Sequence, residues 1–291
     1  MYETNPTQSL DQCRIIQEPG EEPLLLHSRV TGSVSEMSLL MKSLLFAELS
    51  MIAYNDADEA NRAAAAIGFP SSQFFDRDGA QGFFFENDND AVIVCRGTEP
   101  NEWNDIKADA NAATVLAETV GRVHRGFKRE VDDLWPMIET HMKSTPKSKT
   151  QWFAGHSLGG AMATICASRC FLSDKCPNPA ELYTFGSPRV GNRRYVNYVT
   201  LTHYRWVHNN DIVTRAPPPW IGYRHSGTEM YLDYNGDLRQ LDHLAKRADR
   251  WQGFLRGLKR FKIDHFTDHS VHEYIAHIHR ALKNEERLDQ P

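Results

Sequence analysis

Apolar and polar positions along the chain follow two rhythms, and their alternation predicts the elements. In LLMKSLLFAELSMIAY (39–54) the apolar residues recur with helical period and are broken by Lys42 and Glu48, which predicts an amphipathic core helix from about Ser35 to Tyr54 and no membrane span. A short second helix follows in NRAAAAIG, closed by Gly68 and Pro70. GFFFE (82–86) and AVIVCRG (91–97) flank the polar turn NDND, the pattern of an antiparallel hairpin. Between His124 and Lys143 the positions Phe127, Val131, Leu134, Trp135, Ile138 and Met142 keep a helical period, with Pro136 expected to kink or break it.

After the loop STPKSKT come strand QWFAG, helix SLGGAMATICASRCFL, strands ELYTFG and YRWVHN, and a hairpin expected from GYRHSG into TEMYLD. Residues 242–266 carry an apolar stripe of Trp251, Phe254, Leu255, Leu258 and Phe261 against a basic remainder, read as an amphipathic helix packed on the body. FTDHSVHEYIAHIHRAL reads as a terminal helix. Strands alternating with helices imply an α/β fold: a mainly parallel central sheet with helices on both faces and an antiparallel hairpin near its N-terminal side. Residues 1–34 form a polar extension, and 35–291 are expected to make one domain.

Composition narrows the function. With 33 Lys and Arg against 38 Asp and Glu, the formal net charge of -5 offers no general basic field, so nucleic acid is not expected as a partner. The N-terminus lacks a basic segment followed by an apolar one, which leads to the expectation of a cytoplasmic protein, secretion by another route being left open. Cys13, Cys95, Cys166, Cys170 and Cys176 are an odd set without CxxC spacing, consistent with a reducing compartment; a Cys170–Cys176 bridge stays open.

The candidate chemistry begins at Gly-His-Ser-Leu-Gly, residues 155–159. In the pattern G-x-S-x-G the glycines make room for a sharp strand-to-helix turn that exposes the serine above the sheet edge, and an apolar strand and a small-residue helix flank Ser157 as that turn requires. A hydroxyl needs a histidine base and an acid to orient it, and in such a fold both follow the serine. Asp211 in YRWVHNNDIVTRAPP lies just after a strand, where open α/β sheets place functional groups. For the base, His225, His243, His265, His269, His272, His277 and His279 all lie downstream; the loop position before the terminal helix favours His269. Clusters such as IDHFTDHSVHEY lack zinc-type spacing, so neither a metal nor a cofactor is expected.

With these residues in place the chain resembles the fungal-type (class 3) lipases of the α/β-hydrolase superfamily over roughly residues 35–280. The likeness rests on VIVCRGTEPNEWNDIKAD, VHRGF, GHSLGGAMA, TFGSPRVGN, VHNNDIVTRAPP and DHSVHEYI in that order. It implies Ser157 as nucleophile, Asp211 as acid, His269 as base and His225 as a structural histidine. It also implies an oxyanion hole from Thr98 and Leu158, and a lid over 99–118 with Trp103 and Ile106 against the substrate. The expected activity is that of a carboxylic-ester hydrolase, a triacylglycerol lipase or esterase on an ester or lipid substrate with transient lipid-interface contact. The first half of the lid segment is rich in Glu, Asp and Asn, so it gains little at a lipid surface, which points towards monomeric, shorter-chain esters. A phospholipase or thioesterase would use the same triad; an inactive lipid-binding relative would have lost part of it, and no member is missing.

Overall fold

The computed structural model describes residues 13–14, 25–97, 113–173, 176–242, 244–246, 248–250 and 267–288. Thr98, Trp103, Ile106, His243, His265 and most of the amphipathic stretch 242–266 lie outside the described residues.

A short ladder pairs β1 (Cys13–Arg14) antiparallel with β2 (Leu25–Leu26). The central sheet runs in the order β14 (Leu238–Arg239), β13 (Thr228–Leu232), β11 (His203–His208), β9 (Pro179–Phe185), β8 (Thr150–His156), β5 (Asp90–Cys95), β4 (Ala80–Glu86), β3 (Ser71–Arg77). Its middle, from β13 through β5, is parallel, and antiparallel strands close both edges. A smaller antiparallel sheet orders β12 (Tyr223–Arg224), β10 (Gly191–Asn192), β7 (Arg122–His124) and β6 (Thr114–Leu116).

The central strands are apolar on both faces because both are covered. Val92, Val94, Trp152, Ala154 and Phe185 face a core shared with α1 (Leu39–Ile52), α2 (Ala57–Ala66) and α6 (Val271–Leu288). Their neighbours Ile93, Cys95, Phe153 and Leu182 face a second core shared with α3 (Arg125–Ser144) and α4 (Leu158–Phe171). The short α5 (Arg193–Tyr198) contributes Tyr195 to that second core. Ser38 and Asp56 cap α1 and α2, each side-chain oxygen accepting an N–H of the first turn.

One expectation is narrowed and another needs correction. Pro136 does not break its helix: α3 continues from Arg125 to Ser144. An interior proline costs about 3 kcal/mol, whereas each of the buried Phe127, Val131, Leu134, Ile138 and Met142 contributes roughly 1.5–3 kcal/mol by leaving water. The hairpin from GYRHSG into TEMYLD does not form either. Tyr223–Arg224 joins the small sheet beside β10, while Thr228–Leu232 runs parallel to β11. The turn chemistry sits one step later, at Asn235-Gly236, where Gly236 takes φ 75° and β13 folds back onto β14. Cys95, Cys166, Cys170 and Cys176 are all free and buried, so no Cys170–Cys176 bridge exists.

Candidate active site

Strand β8 ends at His156, helix α4 starts at Leu158, and the one residue between them takes φ 59° and ψ −131°. That conformation is uncommon for a side-chain-bearing residue, and Ser157 is one of only two such positive-φ positions among the described residues. The turn is held by the Ser157 N–H donating to the Phe185 carbonyl at 2.9 Å. It also depends on a close approach: a Cβ on Gly159 would overlap the Cys95 carbonyl, so α4 can sit this near β5 only with glycine there.

Two further segments deliver polar groups to the same sheet edge. His269 closes a single turn of 3₁₀ helix, Thr267–His269, just before α6, and Asp211 follows β11. Ser157 Oγ lies 2.8 Å from His269 Nε2, and His269 Nδ1 lies 2.9 Å from Asp211 Oδ2. The three are 1%, 3% and 0% exposed. A carboxylate only accepts, so Nδ1 carries the proton towards Asp211 and Nε2 presents its lone pair to the serine hydroxyl. Gly186, at φ 61°, leaves the space these groups occupy, since a Cβ there would fall 2.8 Å from both Asp211 Oδ2 and the His269 ring.

The Asp211 carboxylate accepts from three donors. Oδ1 accepts the Val213 N–H at 2.9 Å, and Oδ2 accepts the Tyr274 hydroxyl at 2.7 Å besides His269. Burial, then the Asp211 charge, push the Tyr274 phenol well above its ordinary range, so it stays a neutral donor. Its oxygen in turn accepts the His208 N–H at 3.0 Å. Residue patterning does not single out Tyr274; its only sequence signal is helical phase, which turns it inward with Val271 and Ile278.

Leu158, buried, opens α4, where first-turn N–H groups lack intrahelical acceptors and the helix dipole favours negative charge. His225 sits apart from the triad geometry; its Nε2 lies 2.8 Å from the Thr214 carbonyl beneath the acid loop, and burial, then Arg205 and Arg189, hold it neutral. His277 pairs with Glu273, and His279 stacks on His27 at 3.7 Å. Residues 114–116, inside the segment expected as a lid, are strand β6 paired with β7, which ties that end to the small sheet. Among the described residues no group of three or more His, Cys, Asp or Glu could hold a metal ion. The assembled geometry can move a proton from a serine hydroxyl to a carboxylate-oriented imidazole.

Residues 92–220 match the family described as Lipase (class 3). The chain is 41% identical over 121 residues to a secreted mono- and diacylglycerol lipase of Fusarium solani, covering 38% of this chain and 34% of that one. It is 30% identical over 223 residues to toxin TseL of Vibrio cholerae, covering 62% and 33%. It therefore spans about a third of the length of these two relatives. Among solved structures, the triacylglyceride lipase of Rhizomucor miehei superposes with a TM-score of 0.56 at 23% identity, covering 67% of this chain and 81% of that one. The cytoplasmic location expected from the N-terminal sequence is overturned by the Fusarium relative, whose name describes a secreted enzyme. The fold is that of the α/β-hydrolases, and over residues 92–220 the chain is similar to the class 3 lipases.

Proposed function

We propose that the chain is a serine carboxylic-ester hydrolase of the lipase and esterase type, working through Ser157, His269 and Asp211. The observation that carries this reading is the strained Ser157, whose Oγ is hydrogen-bonded to an imidazole that a buried carboxylate orients from the far side. Ser157 Oγ attacks the ester carbonyl carbon as His269 Nε2 takes its proton; the alcohol leaves with that proton, and water cleaves the acyl-enzyme by the same route. Asp211 stays ionised and offsets the imidazolium charge. The backbone N–H groups of Leu158 and Thr98, with the Thr98 hydroxyl, receive the oxyanion in this proposal. Thr98→Val, which removes the hydroxyl and keeps the main chain, is expected to lower kcat by up to the ~10²-fold typical of a lost oxyanion donor, with KM little changed.

The relatives named as lipases of acylglycerols support an acylglycerol or simpler ester as substrate. We place the covering segment in the part of 99–118 that precedes strand β6, with Trp103 and Ile106 facing the acyl chain, in a single domain over 35–291. Its acidic first half leads us to expect only a small rate jump at a lipid surface.

The test is hydrolysis of p-nitrophenyl esters from acetate to palmitate, with glycerides and phospholipids, below and above the solubility limit of each. Wild type is expected to cleave while Ser157→Ala and His269→Ala lose roughly 10⁴-fold or more in kcat. Retention of wild-type rates by Ser157→Ala would overturn the assignment; absence of turnover on every ester would favour a lipid-binding protein instead.

A further inference from the structure

The residue before Ser157 is not used by the triad, yet both nitrogens of its ring are committed. His156 is the last residue of β8 and 6% exposed, and its ring centroid lies 4.7 Å from that of His269. Its Nε2 is 2.7 Å from the His269 backbone carbonyl oxygen, and its Nδ1 is 2.9 Å from the Tyr54 hydroxyl. A carbonyl only accepts, so Nε2 carries the proton; Nδ1 then holds a lone pair and accepts the Tyr54 O–H. Burial, followed by the neighbouring His269, holds this imidazole well below the usual histidine range, and it stays neutral. The contact is also selective for that state, because a second imidazolium beside His269 would oppose the charge His269 must gain.

We propose that His156 is a positioning residue for His269: with Tyr54 behind it, its Nε2–H fixes the main chain of the base, while Asp211 fixes the ring. The carbonyl it holds belongs to the last residue of a single turn of 3₁₀ helix, two residues before α6 begins. The relay joins three remote parts of the chain: the turn after α1 at Tyr54, the elbow at 156, and the turn before α6. It sets the base against the serine through covalent neighbours, since His156 is bonded to Ser157 itself.

The inference rests on the ester-hydrolase reading, and the experiment separates the two. His156→Gln keeps an N–H for the His269 carbonyl and an acceptor for Tyr54; His156→Leu fills similar volume and has neither; Tyr54→Phe removes only the outer donor. For each variant we would measure Tm, kcat and KM on an ester, and the rate at which a fluorophosphonate labels the serine. His156→Leu is expected to lose about 10²-fold in kcat and in labelling with KM within about twofold, and His156→Gln to recover most of it. Tyr54→Phe is expected to fall by about 3–10-fold, a result that decides the matter even if His156→Leu does not fold. Equal rates in wild type and Tyr54→Phe or His156→Leu, or equal losses in His156→Leu and His156→Gln, overturn the proposal. If wild type takes the label but turns over no ester, the substrate reading fails and the labelling ratios still judge His156; if wild type takes no label, both fall together.

Discussion

Tyr274 hydrogen-bonds at once to the Asp211 carboxylate and to the His208 N–H, so removing its hydroxyl leaves two buried groups short of a partner. Tyr274→Phe should therefore destabilise the fold by about 1–3 kcal/mol, the usual cost of an unpaired buried polar group. It should also lower kcat by less than tenfold, because Val213 and His269 still hold the carboxylate. Urea unfolding and ester kinetics on one preparation check both parts, and a kcat loss as large as that of His269→Ala would contradict this division of labour. At this scale the sequence was legible only where chemistry demands a rare pattern. Ser157 lies between glycines, and Asp211 follows a strand. Tyr274 and His156 carry no such mark: one is a residue of a helix stripe, the other the variable position of the G-x-S-x-G pattern. Their roles come from contacts made across more than a hundred residues for His156 and His269, which spacing does not encode.

Helices α3 and α4 are held together by more than apolar burial. Arg169, in the last turn of α4, is buried with its guanidinium over the Trp135 ring of α3 at 5.2 Å, and it pairs with Asp132 on α3 and with Glu118. An arginine so placed loses much of its hydration and depends on those carboxylates. Asp132→Ala should cost about 1–3 kcal/mol, with Glu118 and Trp135 retaining part of the interaction. Thermal unfolding measures it, and an unchanged Tm would show the pair to contribute nothing. Element existence followed from apolar periodicity wherever burial is heavy, as in α1, α3, β5, β8 and α4. Strand β3 escaped notice because it is an edge strand, with only Phe75 buried in SSQFFDR. The misplaced hairpin has a related cause: Tyr223–Arg224 and Thr228–Leu232 are close in sequence but serve different sheets, a choice made by tertiary pairing.

Across the whole molecule, several histidines are held neutral by the fold. Burial is the leading cause at His27, lowered to about 4, at His203, lowered to about 3, and at His156, His208, His225 and His279. Their pKa values lie below the unfolded value of 6.5, so between that value and the folded one the unfolded chain binds more protons. Stability must then rise with pH through this window and fall as pH drops from about 6.5 towards 4. The stacked His27–His279 pair places part of this effect where the segment beginning at β2 meets α6. Denaturant midpoints at pH 8, 7, 6 and 5 should be nearly equal for the first two and then decrease; a flat or rising series on acidification would contradict the burial argument. The layered architecture was the most legible level, because continuous apolar strands and small-residue helices leave few other ways to bury both faces.

The central claim is that Ser157, activated by His269, is the nucleophile towards an ester carbonyl. The most direct measurement is intact-protein mass spectrometry after exposure to a fluorophosphonate ester, with the modified residue mapped by peptide sequencing. One adduct per chain on Ser157, absent from Ser157→Ala and strongly slowed in His269→Ala, is the predicted result. No adduct, an adduct on another residue, or equal labelling in His269→Ala would contradict it.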